Sequence, residues 1–391
     1  MLEILIMLIV AFKMLIGDKA KFLGLIFGIF LSSFLICQQS AIFLGLVERS
    51  YRLITDIPTP EIWVMDPGTE HIDKIREMSD SQIDKVRSVP GILWAAPLSM
   101  TYLPLKLSNG LFHEAQVVAI DQNSLLGAPQ HMVKGVVESL RHEGGIILDQ
   151  HAVQKALVTD GADGKPSYLK LGDSLEVADQ YVVVVGIAQL TLGFYPQPIM
   201  YMAYQQYKNL TPFKNRHLGF ILARVQPGEN VEKVVQHIKD QTGLSAFTRE
   251  GFKWRSIWYF LGTGVLINFG TTVLSGFLLG IAIVGIMFYM LTIDSLPFFA
   301  MLRALGATPL TIAQMIYFQA LVAGIIGFGL GLGAATLAGQ MIILSQGTIA
   351  FLFPPLILLL AAFTIVSINL LAARICIRRV LKEDPKIVMS K

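Results

Sequence analysis

The residues able to do bond chemistry are few, and their spacing does not suit it. All seven histidines (His71, His113, His131, His142, His151, His217 and His237) fall in one polar stretch, and none stands in an HxxxH pair or a tight Cys/His/Asp cluster. Metal-ligand spacing is therefore absent, and they read as surface side chains. Cys37 and Cys376 lie within and just after apolar runs, form no CxxC, and read as apolar filler rather than a redox pair. The run from Gly161 to Pro166 (GADGKP) lacks both the spacing and the hydroxyl residue of a phosphate-cradling GxxxxGKS/T loop. No nucleophile, base or metal set converges, so the expectation is a protein that is not an enzyme and binds no cofactor directly.

What the sequence offers instead is a charged interruption. Between Ser256 and Ala373, charged side chains appear only in the stretch 292–311, as Asp294 and Arg303. Each would cost roughly 2.5 to 3.5 kcal/mol at the centre of a bilayer helix, so the stretch belongs in water between two membrane spans. Pro297 can open a short helix there, and Gly306 can close it by taking the left-handed conformation.

The elements that position this stretch follow from composition. At 391 residues, 53% hydrophobic and 15% charged, the chain is too apolar for an ordinary soluble protein. Its formal net charge of +3, with the basic residues gathered at the membrane edges, excludes a nucleic-acid partner. Phe22 to Val47 carries no charge and covers a hydrocarbon core of roughly 30 Å, which makes it span one. Ser256 to Ile293 is also uncharged but nearly twice that thickness, so one end must project. Trp254, Trp258, Tyr259 and Phe260 suit the outer interface, leaving 269–291 as span two in a stiff helix that runs on from the outer domain. Ile312 to Leu337 is span three, with Gly324, Gly327, Gly329, Gly331 and Gly333 allowing close contact. Pro354-Pro355 stops a helix, and Leu356 to Ala373 is span four. Gly24 with Gly28 and Gly276 with Gly280 form GxxxG pairs, which suggest that spans one and two pack closely, at a dimer interface in one reading. Met1 to Phe12, followed by Lys13, Asp18, Lys19 and Lys21, reverses the order of a signal peptide and reads as a cytoplasmic interfacial helix. Lysine and arginine collect at the N-terminus, the charged stretch and the tail, so both termini are expected in the cytoplasm.

The heptapeptide from Met301 to Ala307 (MLRALGA), placed between the second and third of four spans, resembles the cytoplasmic connection of the MacB/FtsX-like (type VII) ABC transporter permeases. The segment from Gly262 to Gly333 looks most like the DevC-type branch. The resemblance implies an α-helical membrane protein with four transmembrane helices and an α+β extracytoplasmic domain inserted between helices 1 and 2. The corresponding division is an interfacial helix at 1–21, span one at 22–47, a periplasmic MacB-like domain at 48–255, and a stalk with span two at 256–293. A coupling helix at 294–310, span three at 311–340, a short outer loop at 341–354, span four at 355–375 and a tail at 376–391 complete it. It also implies a bacterial inner-membrane location and a separate ATPase subunit that binds ATP and magnesium. Pro297, Phe298 and Met301, with Arg303, Ala304, Leu305 and Gly306, would meet that subunit, Arg303 facing an acidic residue. Further implied partners are a second copy of the permease, membrane lipid, a periplasmic membrane-fusion adaptor and an outer-membrane channel. Two functions are consistent with the resemblance: export of an amphipathic compound or lipid by mechanotransmission, with lipoprotein release and haem export as variants, or FtsX-like control of a periplasmic enzyme without transport.

Within the polar stretch, apolar residues at helical spacing predict a helix over 71–89, and Pro90-Gly91 a turn into a strand at 92–96. Strands are predicted at 115–120, 181–187 and 220–225, a turn leading into a strand at 171–177, and a helix at 230–241. The portion 110–205 reads as a possible subdomain inserted in the other, and 191–198 as a packed aromatic loop.

Overall fold

A computed structural model describes residues 2–160, 166–193, 197–211, 217–344 and 350–382. Residues 161–165, the centre of the 191–198 loop, residues 345–349 of the 341–354 loop, and Lys386 and Lys391 lie outside the described residues. The chain divides into two compact units, residues 1–45 with 265–391, and residues 46–264.

The first unit is helical. It contains α1 (Leu2–Gly17) and most of α2 (Lys19–Arg49), and its later helices are numbered below after those of the second unit. The second unit carries α3 (Arg52–Asp56), β1 (Ile62–Met65), α4 (Ser81–Arg87), β2 (Ile92–Lys106), β3 (Phe112–Ile120), β4 (Met132–Gly135), β5 (Gly145–Asp149), β6 (Thr159–Asp160), β7 (Pro166–Ser167), β8 (Ser174–Val177) and β9 (Gln180–Ala188). It ends with β10 (Ile199–Ala203), α5 (Tyr204–Leu210), β11 (Phe220–Val225), α6 (Val231–Thr242), β12 (Ser245–Thr248) and α7 (Arg249–Gly262). The first unit then resumes with α8 (Val265–Asp294), α9 (Leu296–Ala304), α10 (Pro309–Leu344) and α11 (Pro355–Lys382). Among the described residues, α2, α8, α10 and α11 are long and apolar enough to cross a membrane.

In the helical unit, glycines set the spacing of the helices. A Cβ on Gly28 would lie 2.7 Å from Ile283 Cγ2, and one on Gly280 would lie 3.1 Å from Ser32 Cβ. Gly24 and Gly276 likewise face Met287 and Leu35, so the two GxxxG pairs bring α2 against α8 within one chain. All four glycines thus have side chains of the same chain within 4 Å of their Cβ positions. Gly327 and Gly331 bring α10 equally close to α2: their Cβ positions fall 2.6 Å from Ile29 Cβ and Ser33 Cβ. Gly329 and Gly333 meet nothing within 4 Å. The terminal helix α1 is held by protein as well as by its apolarity. Ala11 and Leu15 are fully buried, and the buried Gln319 of α10 donates from Nε2 to the Ala11 carbonyl at 2.9 Å. A polar amide buried without that acceptor would be costly, which ties α1 to α10 at one register.

In the inserted unit, one long sheet runs β12-β1-β11-β2-β3-β10-β5-β9-β4, with β8 beside β2 and β9. The two-subdomain expectation gives way to this continuous sheet: 110–205 supplies one end of it, and β2 joins the two ends by pairing first with β11 and then with β3. That double duty explains why β2 extends far beyond the predicted 92–96. Pro97 pairs with β11 just before the β3 ladder begins, and Pro104 falls after β11 has ended, so neither missing N–H breaks a two-sided ladder. Alternation divides the core by face. Ile62 and Val64 enter one apolar cluster, and Trp63 and Met65 the other.

The helix predicted over 71–89 forms only at Ser81–Arg87. Ile72 packs with the Trp63 face while Met78, Ile83 and Val86 join the opposite cluster. The chain crosses from one face to the other there, and Met78 pairs with Leu218 in an isolated bridge instead of continuing a helix. By contrast β11 matches the predicted strand. The predicted helix at 230–241 forms as α6, capped by the Asn230 side chain accepting from Lys233 N at 3.1 Å and ended by Gly243 at φ +70°.

The stiff helix expected through 256–293 is interrupted. α7 ends at Gly262, Gly264 takes φ +81°, and α8 starts anew at Val265. α7 belongs firmly to the inserted unit: Phe252 is fully buried against Trp63 and Phe220, each ring centroid 5.6 Å away, and Arg255 Nη2 donates to the Thr69 carbonyl at 2.9 Å. Of the aromatic group assigned to a membrane interface, Trp254 and Trp258 are exposed, but Phe260 is buried and Tyr259 stacks on His71.

Candidate coupling site

The charged stretch forms a short helix between two long ones. α8 ends at Asp294, α9 follows with Pro297 in its first turn, and Gly306 at φ +100° turns the chain back after Arg303. Gly306 N donates to the Arg303 carbonyl at 3.1 Å and Ala307 N to Leu302 O at 3.0 Å, satisfying carbonyls that the helix end leaves open. Thr308 then caps α10, accepting from Thr311 N at 3.3 Å, with Pro309 as its first residue.

α9 is apolar on two faces. Phe299 and Ala300 are buried, with Leu296 and Leu302 packed partly against the same cluster as Phe288, Leu291, Ile312 and Ile316. The opposite face leaves Phe298, Met301 and Leu305 at 58, 52 and 79% exposure. Their spacing of three and four residues puts them on one ridge, the pattern by which a helix anchors in a groove. Pro297, Ala304 and Gly306 are also exposed, so six of the seven residues singled out from the sequence share the accessible surface. Arg303 is half-buried and engaged within the chain. Leu310, at 69% exposure just beyond the turn, extends the apolar surface and was not singled out.

The base of the site is held by charge. Lys21 near the start of α2 bridges Asp18 at 3.0 Å and Asp294 at the end of α8. Donation from Lys21 holds the Asp18 carboxyl below the usual range. Asp294 was legible as a residue that must sit in water, but its partner lies too far away in sequence for spacing to reveal it. A cavity of about 590 Å³ lies beside this bridge, lined by Lys13 and Met14 of α1 and by Phe298 of α9. The arrangement has no proton-transfer pair or nucleophile, and among the described residues no group of three His, Cys, Asp or Glu could hold a metal.

Lys21→Glu should therefore loosen the end of α8, because it places a third carboxylate between Asp18 and Asp294. The expected result is a lowered melting temperature of the purified permease, recovered in the Lys21→Glu, Asp294→Lys pair. No recovery in the swapped pair would show that the bridge contributes nothing.

The sequence profile described as "MacB-like periplasmic core domain" matches residues 23–241, and that described as "FtsX-like permease C-terminal" matches residues 271–385. No curated protein matches the chain. Among solved structures, the periplasmic region of MacB from Actinobacillus actinomycetemcomitans is similar at 15% identity and a TM-score of 0.38, covering 51% of this chain and 94% of that one. The extracellular domain of the noncanonic ABC-type transporter YknZ from Gram-positive bacteria is similar at 12% identity and a TM-score of 0.33, covering 48% and 99%. A domain of a putative permease protein from Porphyromonas gingivalis is similar at 13% identity and a TM-score of 0.31, covering 48% and 87%.

Proposed function

Because the chain belongs to the MacB/FtsX-like ABC permease family, we propose that it is the permease subunit of an export system of the MacB/DevC type, with α9 docking on a separate ATPase. The observation that carries this reading is the exposed ridge of Phe298, Met301 and Leu305 on a short helix clamped between α8 and α10. An apolar ridge of that spacing is stabilised by burial in a partner's groove. The ATPase supplies the nucleotide and magnesium chemistry; this chain supplies the docking surface and the levers.

In this reading the permease works as a homodimer in the bacterial inner membrane, with both termini and α9 in the cytoplasm and the inserted domain in the periplasm. Closure of the ATPases displaces α9. Because α9 shares a packed core with α8 and α10, the displacement passes into both spans. Along the chain Thr263 and Gly264 separate α8 from α7, whereas α2 is unbroken from Lys19 to Arg49. The cargo is an amphipathic compound or lipid taken from the periplasmic side, handed to an adaptor of the membrane-fusion type and an outer-membrane channel. The four spans carry charge only toward their ends, which suits mechanical transmission without a hydrophilic pore.

The test is co-purification. The full chain expressed with its ATPase should bring that subunit through detergent extraction, and replacing residues 297–306 by a Gly/Ser linker of equal length should abolish this. Retained binding would overturn the docking assignment.

A further inference from the structure

The inserted domain also contains a concave polar site that the coupling scheme does not use. A cavity of about 420 Å³ opens there, walled by His71, Asp73, Tyr102, Glu114, Gln197 and Tyr259. Two of these walls are held by the buried Gln116, whose Nε2 donates to Asp73 Oδ1 at 2.9 Å and to the Tyr102 hydroxyl at 3.0 Å. The amide cannot turn over, because its Oε1 accepts from the buried Arg52. Glu114 stands one pleat along β3 from Gln116, on the same face and about 7 Å away along the strand.

The walls carry the carboxylates of Asp73 and Glu114, and the guanidinium of Arg52 lies behind Gln116. Burial holds the His71 imidazole below its ordinary value. Lys74, also at the rim, is taken by Glu70 at 2.9 Å. Asp73 and Glu114 remain, beside the ring of Tyr259, which is braced by His71 at a centroid distance of 4.1 Å. An anionic head group is repelled by two carboxylates, whereas a cation gains from both and from an aromatic face.

The same sheet face continues beyond the cavity as an open platform. The strand register places Phe112 opposite Lys106, Lys106 opposite Glu176 and Glu176 opposite Tyr181, all on the face that carries Glu114. Lys106 and Glu176 cancel one another at 2.9 Å, leaving the rings of Phe112 and Tyr181 at 67 and 80% exposure. A charged pocket thus adjoins the exposed ring of Phe112, with the Lys106 ammonium 5.7 Å from its centroid and Tyr181 beyond the ion pair.

We propose that this face binds an amphiphilic organic cation, its ammonium nitrogen held between Asp73 and Glu114 and its apolar body lying toward Phe112. The proposal names a cargo class for the export reading and rests on that reading for its physiological meaning, while binding itself does not require an ATPase.

The full-length permease in nanodiscs, titrated calorimetrically with benzyltrimethylammonium, should bind this cation and should not bind benzenesulfonate. Glu114→Gln should weaken the cation about tenfold, and Phe112→Ser should weaken a naphthylmethyl analogue more than the benzyl compound. Both residues are exposed, so the fold should persist. Equal binding of cation and sulfonate, or unchanged affinity in Glu114→Gln, would overturn the site. An intact α9 coupling with no cation binding would remove this proposal alone; cation binding in a chain that recruits no ATPase would remove the export reading alone.

Discussion

Leu305→Glu combined with Met301→Glu should leave the permease folded and abolish its stimulation of the partner ATPase. Both side chains stand in the open on α9, so the substitutions remove no internal packing. On docking, each would bury a large apolar side chain, worth about 2 kcal/mol at roughly 25 cal/mol per Å². Losing both contacts and forcing two carboxylates into an apolar groove should weaken association by on the order of a thousandfold, since about 1.4 kcal/mol is a factor of ten. Each single change should fall between, with Leu305→Glu the larger because Leu305 is the more exposed. Phe299→Ala is the informative contrast. Phe299 is buried beneath α9, so its truncation should lower thermal stability by about 3 kcal/mol or more before it alters docking. ATPase stimulation and subunit affinity, measured on the reconstituted pair, read both effects. Stimulation that survives the double substitution would mean the ridge is lipid-facing decoration.

The ridge was legible because proline, glycine and two charges in an otherwise uncharged stretch leave few ways to build the connection. The clamp beneath it was not, because Lys21 and Asp294 are joined only by tertiary structure. The same divide runs through the fold. The spans follow from long apolar runs, β11 from a short apolar run ended by the Gln226-Pro-Gly228 turn, and α6 from its caps. The 71–89 segment misled for a definite reason: Ile72 and Met78 serve opposite faces of the sheet, so their spacing satisfies a helical template without belonging to a helix. Apolarity also hid what α1 touches. Ile6, Ile9 and Phe12 are exposed while Ala11 and Leu15 are buried, yet all five are apolar, and a helix apolar on every side does not reveal which side meets protein. The break after α7 was hidden likewise, since Gly262, Thr263 and Gly264 lie in an uncharged run that length alone reads as one helix.

Spacing between helices matters as much as the helices themselves, and Gly331→Val should damage the helical unit more than any exposed substitution within it. In lipid, helices gain little from hydrophobic burial against one another and rely on close packing. At Gly331 a Cβ would meet Ser33 Cβ at 2.6 Å, the Phe30 carbonyl oxygen at 2.7 Å and Phe34 N at 3.0 Å. Two of those atoms are backbone, so no rotamer change in α2 makes room, and α10 must move away. The displacement would also lift the Gly327 contact with Ile29 and, through α10, the Gln319 hydrogen bond that registers α1. Overpacking of this kind costs about 1 to 3 kcal/mol for a single side chain. Valine, bulky and branched, belongs at the upper end, equivalent to roughly 5 to 10 °C in melting temperature for a unit of this size. Gly329→Ala and Gly333→Ala provide the control within the same helix, because nothing lies within 4 Å of either Cβ position. Both should melt within about 1 °C of the native chain, as surface substitutions do. If all three glycine variants melted alike, close approach of α10 to α2 would not be what holds the unit together.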